Sequence, residues 1–591
     1  MNEISIPQRI FWCSLGAVSM AFHLSLIFSG LTPNLISRPM HMALALPWVF
    51  ILSARNTFER RVGIFLTTLG FAACFYIAYN EATLGDQYGS ISGDLQLVVA
   101  CSLIVVVLEM TRRAIGWPMP MVAVLALAYG LWGTYLPGEF GHPGMPLQSF
   151  LGTITIAEGG IWGKLTGVSV NIVAIFVIFG AILNAGEAGQ GFMNLATAAA
   201  GRLKGGAAKV SVLSSAFFGS ISGSASANVA STGAITLPAM TKLGYPRALA
   251  GAVEAVASSG GQIMPPLMGA GAFVMVELTG VPYTGIMMAA LLPALLYFMT
   301  VWIGINAFSL RYDLSGLTAD QTPKLKTVLI TSGFFLIPFS VLLWGMFVGG
   351  YTPQFAASLA ILAGAGLLLV DGKLSFGFGR TLGRIENVCM TAGKQIAMIA
   401  SIILCASIVI GVLGMTGLGV KITSFILAGS GGMVWPALIL TALACLVLGM
   451  EVPTTAAYVI CVSVAGPALQ KLGIPLLQAH LFVFWFALLS TITPPVCGAV
   501  FIAAGIVQEN WLKVAGASMA LGIGLYLVPL AMIANPALIE LGSSPFMALA
   551  MFAKVGLGLV AISFGVIAPK PILMRFALIC VGGLLLFGSI N

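Results

Sequence analysis

The sequence predicts an all-α polytopic membrane protein of about 15 transmembrane helices with two re-entrant helical hairpins. Three observations predict it. Of 591 residues, 59% are hydrophobic and only 7% charged, against roughly 25% charged in soluble globular chains. Stretches such as 327–349, 395–416, 508–533 and 571–590 run for about 20 residues with almost no charge, the length an α-helix needs to cross a hydrocarbon core. Finally, a series of short motifs between residues 226 and 270 recurs in one gapless register after a shift of 229 positions. The segments are helices because lipid offers no other partner to backbone N–H and C=O groups.

In chain order, crossings are expected at 10–30, 39–54, 62–80, 96–112, 118–136, 168–185, 246–277, 283–310, 327–349, 354–370, 395–416, 476–506, 508–533, 548–569 and 571–590. Residues 10–30 are read as a retained first helix, since Arg9 precedes them and no A-x-A-type cleavage site is evident. A cytoplasmic N-terminus places Arg55, Arg60, Arg61, Arg112, Arg113, Arg380, Arg384 and Lys394 inside, and the acidic loop of Glu81, Asp86 and Asp94 outside. Arg38, Lys421 and Lys471 fall on the outer side, against the positive-inside trend. Two further apolar stretches, 208–240 and 434–470, are interrupted at their centres by small, polar and Pro residues, and each is expected to enter and leave on one side. Irregular backbone at that depth is tolerated only where it is buried in protein or lines a cavity.

The 229-residue shift carries Lys242-Leu243-Gly244 onto Lys471-Leu472-Gly473, Pro265-Pro266 onto Pro494-Pro495, and Ser226-Ala227 onto Thr455-Ala456 without a gap. Five crossings separate the starts of the helices at 246 and 476. That number is odd, so the copies face opposite ways. An inverted-topology repeat of this kind belongs to secondary transporters, with substrate and ion sites at the repeat interface.

The chemistry is expected at four interruptions. The first hairpin tip holds Ser220, Ser222, Ser224, Ser226 and Asn228; the second holds Gly449, Glu451, Thr454 and Thr455. Hydroxyls, an amide and freed carbonyls are hard oxygen ligands suited to Na⁺, although small residues also let helices pack closely. The two broken helices hold Ser258, Ser259, Gly260, Gly261, Pro265 and Pro266 in one half and Thr491, Thr493, Pro494 and Pro495 in the other. Proline removes an amide donor and frees the carbonyl four residues back, and the helix N-termini that restart beyond each break present positive dipole ends to an anion. A kink without a ligand is the competing reading. Glu254 and Glu451 are intramembrane carboxylates and candidate proton carriers, with a water-filled vestibule as the alternative around Glu254. Segments 146–165 and 372–394 are amphipathic and read as interfacial arms.

The Gly-Ser-x-Ser-Gly-Ser-Ala-Ser-Ala tip at 219–227, Lys-Leu-Gly-Tyr-Pro at 242–246 and Ser-Gly-Gly-Gln-Ile-Met-Pro-Pro at 259–266 resemble the fused membrane permeases of TRAP (tripartite ATP-independent periplasmic) transporters. The likeness covers nearly the whole chain and is weaker in the second repeat, where Glu451-Val452-Pro453-Thr454-Thr455 replaces the serine-rich tip. Residues 1–115 resemble the four-helix small subunit, followed by a connecting helix at 116–145. The repeats resemble the large subunit at 146–370 and 371–535, and C-terminal helices follow at 536–591. The fused form and the Gln-Ile-Met-Pro-Pro variant most resemble the branch that works with TAXI-type binding proteins. The resemblance implies an elevator-type transport domain in the bacterial or archaeal inner membrane. It further implies coupling to an ion gradient, usually Na⁺, no enzymatic cofactor, and import of a small organic anion delivered by a periplasmic substrate-binding protein to a monomeric or dimeric permease.

Other classes fare worse. The net charge of +8 is spread over short loops and forms no basic block for nucleic acid. The nine Cys include no C-x-x-C, and the four His are not spaced as a ligand pair, so no transition-metal site is expected. An intramembrane hydrolase needs a base beside a nucleophile, and no His or Lys is expected at depth near the serines. A proton-coupled carrier working without a binding protein remains the closest alternative.

Overall fold

The computed structural model describes residues 6–449, 453–495 and 497–588, and no strand occurs among them. The helices are α1 (Ile6–Phe28), α2 (Asn34–Leu52), α3 (Thr57–Tyr79), α4 (Gly93–Ile115), α5 (Pro118–Trp132), α6 (Leu147–Thr155), α7 (Lys164–Ala185) and α8 (Ala188–Ala200). They continue as α9 (Gly206–Ser222), α10 (Ala225–Lys242), α11 (Arg247–Gly260), α12 (Gly269–Thr279), α13 (Tyr283–Tyr312), α14 (Leu325–Phe347), α15 (Pro353–Leu367) and α16 (Phe378–Thr416). The remainder are α17 (Leu418–Gly429), α18 (Val434–Leu448), α19 (Thr454–Lys471), α20 (Leu476–Leu489), α21 (Gly498–Val507), α22 (Trp511–Ala534), α23 (Pro545–Ile567) and α24 (Ile572–Phe587). Among the described residues, ten helices are long and apolar enough to cross a membrane, and shorter apolar helices supply the hairpins and half-helices.

Local chemistry sets several of the ends. Asn56 caps α3 by accepting from the Glu59 amide at 2.7 Å, a bond that stabilises a helix start by about 1 kcal/mol. Proline opens α5, α15 and α23, where its missing N–H costs nothing. Gly116, at φ 91°, ends α4 just after Arg112 and Arg113.

The repeat is visible helix by helix. The 229-residue shift carries the start of α10 onto that of α19, α11 onto α20 and α12 onto α21. It also superposes the two cis Pro-Pro bonds, 265–266 and 494–495. Two helices that hydropathy did not reveal, α8 and α17, are related by nearly the same shift. One arm departs from expectation. Residues 378–394 are not a separate interfacial helix but the first part of the 39-residue α16, because no proline or polar break lies between them and the crossing at 395–416.

The chain divides into two compact units. The first comprises 1–186, 338–431 and 463–468. In it α16 packs along α1, α2, α4, α5 and α7. Gly16 of α1 leaves no room for a Cβ against the backbone of Cys389, so the two helices meet at backbone distance. Two of the three cations expected on the outer side, Arg38 and Lys421, are tied down here. Arg38 donates to the Trp162 carbonyl and, at 3.4 Å, to Glu158, while Lys421 donates to the Gly141 carbonyl and lies 3.4 Å from the Tyr129 hydroxyl.

The second unit comprises 187–337, 432–462 and 469–591. It gathers the first hairpin (α9 and α10), both broken helices and the first arm of the second hairpin. Within it, α11 packs against α9, α10, α21 and α22, and α20 against α18 and α22.

Candidate ion and substrate site

The first hairpin turns at Gly223, in the left-handed region at φ 61°, and Ser224, whose hydroxyl caps α10 by accepting from the Ala227 amide at 3.3 Å. Beyond α11 the broken helix runs through a 3₁₀ turn at Gly261–Ile263, the Pro265-Pro266 pair and Met268 before α12 begins. A Cβ on Gly219 would lie 2.5 Å from the Gly261 Cα, and the reverse holds equally, so hairpin and break touch backbone to backbone. The second half repeats the approach: a Cβ on Gly449 would lie 2.9 Å from the Ser490 side chain.

The two breaks meet each other as well as their own hairpins. Ser259 Oγ lies 2.8 Å from Thr491 Oγ1, and Thr493 Oγ1 lies 2.7 Å from the Tyr526 hydroxyl. The first tip reaches both restarting helices. A Cβ on Gly223 would lie 3.0 Å from Gly269 Cα at the start of α12, and one on Gly498 would lie 3.3 Å from Ser226 Oγ at the start of α21. Three helix N-termini, those of α10, α12 and α21, therefore converge. Each carries the partial positive charge of a helix start.

Asn228 sits at the centre, fully buried. Its Nδ2 donates to the Ser215 carbonyl at 2.9 Å and the Ser258 carbonyl at 3.4 Å, joining hairpin to broken helix. The Thr232 hydroxyl lies 3.3 Å from its Oδ1. Thr232 has one proton and closer acceptors in the Asn228 carbonyl, at 2.8 Å, and Glu254. Asn228 Oδ1 is thus a buried oxygen with spare acceptor capacity.

Glu254 is fully buried rather than bathed by a vestibule. Hydroxyls surround it: Ser211 at 2.7 Å, Ser215 and Ser258 each at 3.1 Å, and Thr232 and Thr236 in closer contact. These five come from α9, α10 and α11, so the carboxylate knots the hairpin to the broken helix. No cation is among its hydrogen-bond partners in the described residues.

The remaining expected residues divide. Ser220 donates back to the Phe217 carbonyl at 2.8 Å, Ser222 approaches the Ser224 carbonyl at 3.4 Å, and Ser224 is the cap. These hydroxyls serve the hairpin itself. Gly260 is pressed against the Tyr297 ring, whose hydroxyl donates to the Val256 carbonyl at 2.6 Å. Pro265, Pro266 and Pro494 are partly buried and Pro495 is exposed; Thr454 is buried and Thr455 partly so, each at the start of α19. Glu451 lies outside the described residues.

Two bases do lie near these elements, contrary to expectation. Lys209 Nζ is 5.0 Å from the Trp302 ring, and His480 Nδ1 is 2.7 Å from the Tyr458 hydroxyl. Neither bonds to a tip serine. The His480–Tyr458 pair joins α20 to α19, and it lies one helical turn from the positions equivalent to Glu254 and Thr232.

A duplicated hairpin and broken helix in an apolar helical chain, with hydroxyls, carbonyls and helix N-termini gathered at the interruptions, are the features of a secondary-transport permease. Residues 102–547 match the family described as "Tripartite ATP-independent periplasmic transporter, DctM component", and the chain belongs to that family. It is 25% identical over 363 residues to the isethionate TRAP transporter permease protein DctMQ of Oleidesulfovibrio alaskensis, covering 60% of this chain and 55% of that protein. It is 24% identical over 337 residues to the C4-dicarboxylate TRAP transporter large permease protein DctM of Pseudomonas aeruginosa, covering 56% of this chain and 76% of that one. A third relative, YgiK of Salmonella typhimurium, is 23% identical over 366 residues, 62% of this chain and 82% of that protein. Family membership makes the chain a multi-pass transport permease and not an enzyme, so the hydrolase alternative falls.

Proposed function

We propose that the chain is the membrane permease of a Na⁺-coupled symporter that imports a small organic acid handed over by a periplasmic substrate-binding protein of TAXI type. The observation that carries this is the meeting of the first hairpin tip with both restarting helices, beside the Ser259–Thr491 bond between the two breaks. The three N-termini suit a carboxylate, and Asn228 Oδ1 with the surrounding carbonyls suits a hard monovalent cation. Glu254 and Asn228 bind hairpin and broken helix into one body, which can travel as an elevator. In this proposal residues 1–115 act as a fused small subunit, the connecting helix at 116–145 leads into repeats at 146–370 and 371–535, and helices at 536–591 close the chain. The permease lies in the inner membrane with its N-terminus in the cytoplasm, as a monomer or dimer.

One second reading rests on the full burial of Glu254, an intramembrane carboxylate: a proton-coupled carrier that uses it, against the five donors that hold it charged. Uptake into proteoliposomes separates the two, with isethionate and a C4-dicarboxylate as trial substrates. Na⁺ coupling predicts accumulation that needs an inward Na⁺ gradient and the cognate binding protein. Uptake driven by a pH gradient in choline medium, and lost in Glu254→Gln, would replace Na⁺ with protons. Strong uptake without the binding protein would remove the tripartite part.

A further inference from the structure

Away from the transport elements, the first unit contains a cavity of about 320 Å³ between the end of α2, the end of α4 and the middle of α16. Its lining divides by chemistry. Leu52 and Met398 belong to an apolar wall, while Arg113 and Lys394 bring positive charge, the indole of Trp48 a donor, and Ser53 a hydroxyl that donates to the Val49 carbonyl. We propose that this cavity binds the phosphodiester headgroup of an anionic phospholipid from the leaflet facing the basic loops, with the acyl chains lying outside along the apolar wall.

The charge balance is the first argument. Glu109 accepts from Arg112 at 2.7 and 2.8 Å and from Arg113 at 2.8 Å, and Glu59 is a second carboxylate near Arg112, so two carboxylates face Arg112, Arg113 and Lys394. Lys394 is exposed and makes no ion pair among the described residues. The wall therefore carries a positive surplus. Anionic headgroups are drawn to such basic pockets between membrane helices.

The second argument is a donor without an acceptor. Trp48 is 3% exposed, and its buried indole N–H has no hydrogen-bond partner. A buried donor left unsatisfied costs about 1–3 kcal/mol, and the Trp48 ring lines the cavity that an oxygen-rich anion would occupy.

Depth is the third. Arg113 lies two residues before the end of α4, Ser53 immediately follows α2, and Lys394 marks the passage in α16 from its amphipathic first part to its apolar crossing. All three stand where helices leave the hydrocarbon, and the cavity joins its polar end to an apolar wall. A free anion has no use for that wall.

The test is the melting temperature of the full chain, stripped of lipid in detergent, after addition of phosphatidylglycerol, phosphatidylcholine or free glycerol phosphate. Wild type is compared with Lys394→Gln and with Met398→Trp, which fills the cavity without touching a charge. The expected result is a rise of about 2–4 °C with phosphatidylglycerol over phosphatidylcholine, absent in both variants, and no response to glycerol phosphate. A phosphatidylglycerol preference that survives in both variants would overturn the proposal. So would equal responses to the two lipids in wild type, or a full response to glycerol phosphate, which would make the ligand a free anion.

Discussion

Ser259 Oγ and Thr491 Oγ1 lie 2.8 Å apart, and this bond joins the broken helix of one repeat to the broken helix of the other. A neutral hydroxyl pair of this kind contributes about 0.5–1.5 kcal/mol. Ser259→Ala and Thr491→Ala are therefore expected to couple: thermal unfolding of the double variant should show less than the summed loss of the singles. Additive losses would mean that the two breaks do not hold each other.

Gly219 and Gly261 have no space for a methyl group, since each would meet the other's backbone at 2.5 Å. Gly261→Ala is expected to push the hairpin away from the break and destabilise the protein by about 1–3 kcal/mol, with uptake lost even where the chain still inserts. Circular dichroism and uptake measured together check this. Normal transport by Gly261→Ala would contradict the close approach.

Around Glu254 every partner is a hydroxyl that can donate. Glu254→Gln turns an acceptor into an N–H₂ facing donors, and should cost about 1–3 kcal/mol. Thr236→Val, which removes one donor of five, should cost less than Glu254→Gln. The order of the two melting temperatures is the readout, and a more stable Gln variant would show that the cage does not select a carboxylate.

The Tyr458 hydroxyl and His480 Nδ1, 2.7 Å apart, form the second repeat's polar contact between the hairpin's second arm and the broken helix. Tyr458→Phe should lower stability by about 0.5–1.5 kcal/mol, and combining it with His480→Phe should recover part of that loss because no buried group is left unpaired. A further full loss in the double variant would show that the histidine has another partner.

Much of this was legible because the breaks are written in prolines and glycines. Pro265-Pro266 and Pro494-Pro495 located both interruptions, and the shift that aligned them also aligns the helix starts on either side. The short helices α8 and α17 escaped because neither is long enough to register as a crossing, although the repeat relates them to each other. The cage of Glu254 escaped for a different reason. The serines are densest at the tip, where the hydroxyls at 220, 222 and 224 are engaged with local backbone, while the carboxylate is served by residues deeper in the arms. A signal existed in three pairs spaced i, i+4, Ser211 with Ser215, Thr232 with Thr236, and Glu254 with Ser258, each placing two oxygens on one helix face. His480 carries no such signal, since its partner Tyr458 sits on another helix, 22 residues away in the chain.

The most direct test of Na⁺ binding at the paired interruptions is the melting temperature of purified protein in NaCl against choline chloride, for wild type, Asn228→Ala and Thr455→Ala. An ion that binds only the folded state raises stability by mass action, and comparing two salts cancels whatever each substitution costs by itself. The account predicts a Na⁺-specific rise in wild type that Asn228→Ala abolishes and Thr455→Ala reduces. A rise of the same size in all three proteins, or none in wild type, would contradict it.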